Sequence, residues 1–136
     1  MGTPDADVAG YLDTNLAALT LGTNLFQGKE RAQRDGVIPH EAVFVLAAGG
    51  PRPEAYLLGG AGPELRYPGV QLITRSNPRE FATGQTLARS VRDAVHHAPI
   101  SGYTDAAVAE TEPLYLGEDE DGRHRWSSNL ELITEE

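Results

Sequence analysis

Apolar positions along the chain fall into two helical patterns and several runs of strand length. From Pro4 to Leu21, Val8, Leu12, Leu16 and Leu19 recur at steps of three and four, which predicts a helix with one apolar stripe. Thr3 is placed to cap it, Pro4 suits the first helical position, Asp5 and Asp7 favour the positive end of the dipole, and Gly22 stops it. The second pattern is Phe81, Gly84, Ala88, Val91, Val95 and Ala98, widened by Leu87 and Ala94. Asn77, Pro78 and Glu80 predict its start as N-cap, first-position proline and near capping-box glutamate, and Pro99 ends it. Small residues at Gly84 and Ala88 would let this helix sit close on a sheet.

Between and after the helices the pattern reads as strands. Asn24–Gln27 is a short one, followed by a polar arm, Gly28–His40, with no clean period. Glu41–Ala48 is a continuous apolar run, as in a central strand buried on both faces. Glu54–Leu58 predicts another strand, and Gly59–Gly69 a flexible loop. In Val70–Ser76, Val70 and Leu72 share one face while Gln71, Ile73 and Arg75 share the other. Two tail strands, Thr104–Gly117 and His124–Ile133, complete the order α-β-β-β-β-α-β-β. In the last, Trp126, Ser128, Leu130 and Leu132 alternate with polar neighbours, as in a half-buried antiparallel strand. The expected fold is α+β: a single domain over residues 1–136, with two helices packed on a mainly antiparallel sheet.

Composition narrows the function classes. The 136 residues suit one ordinary domain and contain no apolar run of about 18 residues, so no membrane span is expected. The N-terminus carries acids where a secretory leader would carry positive charge, so export is not expected. Cysteine is absent, which excludes disulfides, thiol nucleophiles and Cys-ligated zinc and fits a reducing cytoplasm. The net charge of −9 is uneven, because Asp105 to Glu136 holds ten acids against two arginines. Such a surface repels phosphate and gives no counterion-release drive for nucleic-acid binding.

The densest chemistry is the loop Glu118, Asp119, Glu120, Asp121, closed by Gly122 and followed by Arg123. An EF-hand needs acids at its first, third and fifth positions, Gly at the sixth and Glu at the twelfth. With Gly122 sixth, Gly117 falls first and Ser128 twelfth, so two principal ligands are missing. A hairpin tip explains every residue: Asp121-Gly122 is a strong turn pair, and Arg123 and Arg125 offset the acids. His96 and His97, as helix neighbours, are expected to diverge by about 100°, too far to share a metal. No Gly-x-Ser-x-Gly occurs, and the stretch from Gly59 to Arg66 lacks the Lys-Ser/Thr ending of a phosphate loop. No catalytic, cofactor-binding or metal-ligating set is expected.

Two long segments carry a resemblance. In YPGVQLITRSNPREFATGQTLARSVRDAVHH, the relevant features are Pro68-Gly69-Val70 entering a strand, Arg75 ending it, and a helix with Leu87-Ala88 and Asp93-Ala94. In ETEPLYLGEDEDGRHRWSSNLEL, they are the strand Pro113 to Gly117 followed by Asp119, Gly122 and Arg123. With the first helix and the segment VFVLAAGGPRPEAYLLGG in the same order, the chain from about Val8 to Ile133 resembles the tail-terminator (tail-completion, minor capsid) proteins of long-tailed bacteriophages. The resemblance implies a homo-oligomeric ring, usually hexameric, that caps the tail tube, stops its polymerisation and presents a surface to the neck of the head.

The expectation is therefore a non-enzymatic virion protein, made in the host cytoplasm, without cofactor. Its partners would be identical copies, the tail-tube protein, a head-closure or neck protein, and DNA only in passage. Six copies at −9 each would carry about −54, a field that repels DNA in a channel if the acidic third lines it. Candidate interface residues are Lys29, Arg31 and Arg34 in the arm, set to face a neighbour's acids, and Glu118, Asp119, Glu120 and Asp121 in the loop. A rival reading is another neck component, a head-closure or adaptor ring. A third is a small hydrolase-type enzyme working through the carboxylates near Asp119 or through His96, which would require partnered groups the sequence does not display.

Overall fold

The computed structural model describes residues 2–34, 37–55 and 64–135. Two helices and eight strands are seen among these residues: α1 (Pro4–Asn15), β1 (Leu25–Gln27), β2 (Ala42–Ala47), β3 (Glu54–Ala55), β4 (Glu64–Arg66), β5 (Gly69–Pro78), α2 (Phe81–Val95), β6 (Asp105–Val108), β7 (Leu114–Glu118) and β8 (Arg123–Glu135). The fold is α+β, in the predicted order of helix, strands, helix, strands. Tyr56–Leu58 of the expected third strand, and the glycines after it, lie outside the described residues.

Across the sheet the strands run β1, β2, β5, β8, with β6 and β7 one after the other on the far side of β8. Among the described strands, only β1 and β2 pair in parallel. β4 prolongs β5 along the same side of β8 in unbroken register: Gly69 faces Glu131, and Arg66 faces Thr134. A strand thus occupies part of the segment expected to be a flexible loop. β3 extends β2 and pairs with β4 antiparallel, with the register shifted by two residues: Ala47 faces Val70, whereas Glu54 faces Leu65. Gly50 permits the extension at φ +131, because a Cβ there would lie 2.1 Å from the Tyr67 carbonyl oxygen.

The first tail strand is divided. β6 ends with Val108 opposite Leu130, and β7 begins with Leu114 opposite Ser127. Five residues therefore span two on β8, and the excursion is held by Ala109 N–H donating to the Asn129 carbonyl and Asn129 N–H donating to Glu110 Oε1.

Both helix boundaries differ from expectation, for polar reasons. α1 ends at Asn15 rather than Leu21. Beyond it, Asp13 Oδ1 accepts from Leu21 N–H, while Asn24 accepts from Thr20 N–H and donates to the Ala18 carbonyl. These side chains offer the backbone a non-helical alternative. Thr3 makes no side-chain cap. Asn77 and Pro78 belong to β5, not to the helix start: Ser76 Oγ accepts from His124 N–H, and Arg79, at φ +64, turns the chain so that α2 begins at Phe81.

Both helices lie on one face, α1 over β1, β2 and β5, and α2 over β5, β6 and β8. Beneath them Val8, Leu12, Val43, Leu72, Val91 and Leu130 are buried in the larger core. The opposite face carries a smaller cluster of Phe26, Ile38, Ala42, Phe44 and Ile73, with the rings of Phe26 and Phe44 stacked at 5.6 Å. Ala42 to Val45 are all buried, as expected of a strand covered on both faces.

Candidate functional site

The described part of the arm, residues 28–34 and 37–40, covers the second face, and one residue pins it there. Arg75 is 0 % exposed. Its Nε donates to the His40 carbonyl at 2.6 Å and Nη2 to that of Pro39 at 2.7 Å, while Nη1 donates to the Arg31 carbonyl. Its guanidinium also lies over the Phe44 ring at 5.0 Å. Burial, then the nearby Arg123 charge, lower its pKa from the ordinary arginine value, against the pull of Glu30 and Asp119. The arm is thus tied at three carbonyls. The described part of this arm is not loosely held.

Beside Arg75 lies a cleft of about 290 Å³ lined by Glu30, Arg31, Arg75, Asp119, Arg123 and Arg125. Arg125 donates to both oxygens of Glu30, at 2.9 and 3.2 Å from Nε. Glu30 also pairs with Arg75 at 3.6 Å. The positive charge of Arg75 and Arg125 in this cleft is therefore answered from within the chain.

The acidic loop is a turn tip built around one carboxylate. Asp119 Oδ1 accepts from the backbone N–H of Asp121 and of Arg123, both at 3.0 Å, and Oδ2 accepts from Arg123 Nε at 2.8 Å. Burial raises the Asp119 pKa, but the backbone N–H of Arg123, its side chain and the Asp121 N–H together hold it below the ordinary value. Arg123 is 6 % exposed and also meets Asp121 at 3.2 Å. Among the described residues its Nη1 has no hydrogen-bond partner. Asp119 and Asp121 are thus spent inside the loop. Glu118 and Glu120 are exposed and have no ion pair among the described residues. The same division holds in the arm: Arg31 lies over Phe26 at 5.6 Å, whereas Lys29 and Arg34 are exposed and make no ion pair among the described residues.

The histidines correct one expectation. His96 caps the end of α2 and His97 has φ +56, so the two rings do not diverge but lie 4.0 Å apart. His96 Nδ1 accepts from Val108 N–H at 3.0 Å, and His97 Nδ1 meets Asp105 at 3.2 Å. Among the described residues no three His, Asp or Glu side chains are grouped to hold a metal ion.

Sequence reasoning missed an aromatic cluster. Phe81, expected on the buried stripe of α2, is exposed and meets Tyr115, His124 and Trp126 at 5.1 to 5.5 Å. Trp126 is buried because Gly84 leaves room for it. Tyr115 and its neighbours Leu114 and Leu116 are exposed on β7, which pairs only with β8 among the described residues. The apolar character of these three was legible, but their place on an outer strand was not.

A family model described as "Bacteriophage tail terminator protein" matches residues 17–136. No curated protein matches the chain. The match takes in all eight strands, α2, the arm and the acidic loop, so the chain belongs to the bacteriophage tail terminator family, structural proteins of the phage tail.

Proposed function

We propose that this protein forms a ring of identical copies, six by the family resemblance, on the end of the finished tail tube. The ring stops further addition of tube subunits, offers its outer face to the neck of the head, and leaves a channel for DNA. The protein contributes surfaces, not reactive side chains, and works without a cofactor. Family membership over residues 17–136 is the observation that carries this reading. The physical chemistry supports it: the polar clusters close on themselves as structural ties, while apolar side chains and unpaired charges are left on the outside. No helix among the described residues is long and apolar enough to cross a membrane.

Mass measurement of the purified protein, alone and mixed with tail tubes or with filled heads, tests the proposal. The expected result is a closed oligomer on tubes and tubes that no longer lengthen. Binding to filled heads with no effect on tubes would instead assign the protein to head closure.

A further inference from the structure

Six large apolar side chains are exposed among the described residues, and they fall in two places. Phe81, Leu114, Tyr115 and Leu116 stand along β7 and the start of α2. Leu21 and Val37 stand at the opposite edge of the sheet, beside β1. One row of residues joins the two edges: Tyr115 faces Trp126, Trp126 faces Thr74, Thr74 faces Val43, and Val43 faces Leu25. The patches therefore lie at the same height on the sheet, about 19 Å apart at the usual strand spacing.

Their nearest exposed charges differ in sign, with Arg79 beside Phe81 as a cation on the first patch. The β7 edge runs directly into Glu118 and Glu120, both exposed and without an ion pair among the described residues. Near the β1 edge stand Lys29 and Arg34, also exposed and without one. A groove of about 370 Å³ opens there, with Gly22, Thr23, Arg34 and Val37 on its walls and Leu21 next along the chain.

We infer that the β7 edge of one copy seats against the β1 edge of the next, Leu116 and its neighbours covering the Val37 groove while Glu118 and Glu120 meet Lys29 and Arg34. This rests on the ring reading above and specifies its subunit contact. A second copy is the occupant because the complement of each patch is present on the same chain: apolar with an acidic rim on one side, apolar with a basic rim on the other. Two like patches brought together would set Glu118 and Glu120 against their own counterparts, a repulsion that disfavours a two-fold pair. A contact between two different surfaces of one chain is head-to-tail, the kind that builds a ring when its rotation divides a full turn. The assignment also divides the charged residues by role. Arg31, Asp119 and Asp121 serve their own chain, and the four free groups serve the neighbour.

The chain has no cysteine, so introduced thiols report cleanly. Val37→Cys and Leu116→Cys replace exposed side chains. With a short bismaleimide, alone or on tail tubes, the chain carrying both should give a ladder of covalent multimers. A mixture of the two single variants should stop at dimers, and each single variant alone should stay at the monomer mass of 14.6 kDa. Glu118→Lys with Glu120→Lys should reduce the assembly to that mass, as should Lys29→Glu with Arg34→Glu, and all four changes in one chain should restore it. If the native chain assembles but these variants assemble equally well and the thiols stay unlinked, the edge assignment is overturned and the ring reading stands. Cross-linking between two Leu116→Cys chains overturns it in favour of a two-fold contact. A native chain that stays monomeric alone and on tubes removes the ring reading, and this contact with it.

Discussion

Arg75 shows how much one residue can decide. A fully buried guanidinium is stable here because the arm's carbonyls take its donors and Glu30 lies within 3.6 Å. Replacing it with Met leaves those carbonyls unpaired against an apolar side chain, and unfolding in urea should register a loss of about 3–5 kcal/mol. Limited proteolysis should then cut first within the arm. Lys at the same position should recover little, because an ammonium cannot serve three carbonyls in a planar fork. If the Met variant keeps both native stability and a protected arm, Arg75 is not the pin. Asp119 supplies a second residue-scale case with a definite sign. Its folded pKa is depressed, so the stabilisation from its bonds is present above the ordinary aspartate value of 3.8 and is lost as pH falls through the lower folded value. Asp119→Asn should cost about 1 kcal/mol at neutral pH, as a partly exposed pair warrants, and should flatten the acid limb of the stability curve below about pH 4. An acid limb as steep as that of the native chain would show that other carboxylates govern it.

At the scale of elements, helix and sheet meet through glycine, and two glycines should respond with opposite signs. A Cβ at Gly84 would come within 2.5 Å of the Ser76 Cβ and 2.7 Å of the Trp126 ring. The better helix propensity of Ala cannot compensate for that overpacking, and Gly84→Ala should lower stability by about 1–3 kcal/mol. Gly10 in α1 has nothing within 4 Å of such a Cβ, so Gly10→Ala should stabilise by about 0.5–1 kcal/mol. Equal melting shifts of one sign for the two variants would break the argument. Elements were also where the sequence was most legible. The stripe of Gly84, Ala88, Val91 and Val95 in α2, the first half of the α1 stripe (Val8 and Leu12), the doubly buried run in β2 and the alternation along β8 follow from periodicity alone. Legibility failed where a distant side chain overrides a local signal. Pro78 looks like a helix start, yet pairing with β8 keeps it in a strand. The arm has no period because its order comes from Arg75, far along the chain. In the candidate contact, the charges of Lys29, Arg34, Glu118 and Glu120 were readable. Which of the seven charged positions close on their own chain, and that two edges share one row, depended on tertiary pairing.

At the scale of the molecule, the net charge of −9 and the inward-turned arginines act together. If DNA passes through the proposed ring, the protein must not hold it, and the cationic group of Arg31, Arg75, Arg123 and Arg125 is a place where phosphate could be caught. Glu30 meets Arg75 and Arg125, and Asp119 and Asp121 meet Arg123, so three of these four arginines offer little unanswered charge to a passing backbone. In the proposed ring, a neighbouring copy covers two further exposed cations, Lys29 and Arg34. Electrophoretic mobility shifts with duplex DNA at low salt should therefore detect no complex, whereas ordinary non-specific binders associate in the range of about 10⁻⁴–10⁻⁶ M. The double variant Glu30→Gln, Asp119→Asn, which uncovers the arginines, should gain a weak, salt-sensitive affinity if it remains folded by circular dichroism. Tight binding by the native chain, undiminished as salt is raised, would mean that the protein grips DNA instead of letting it pass.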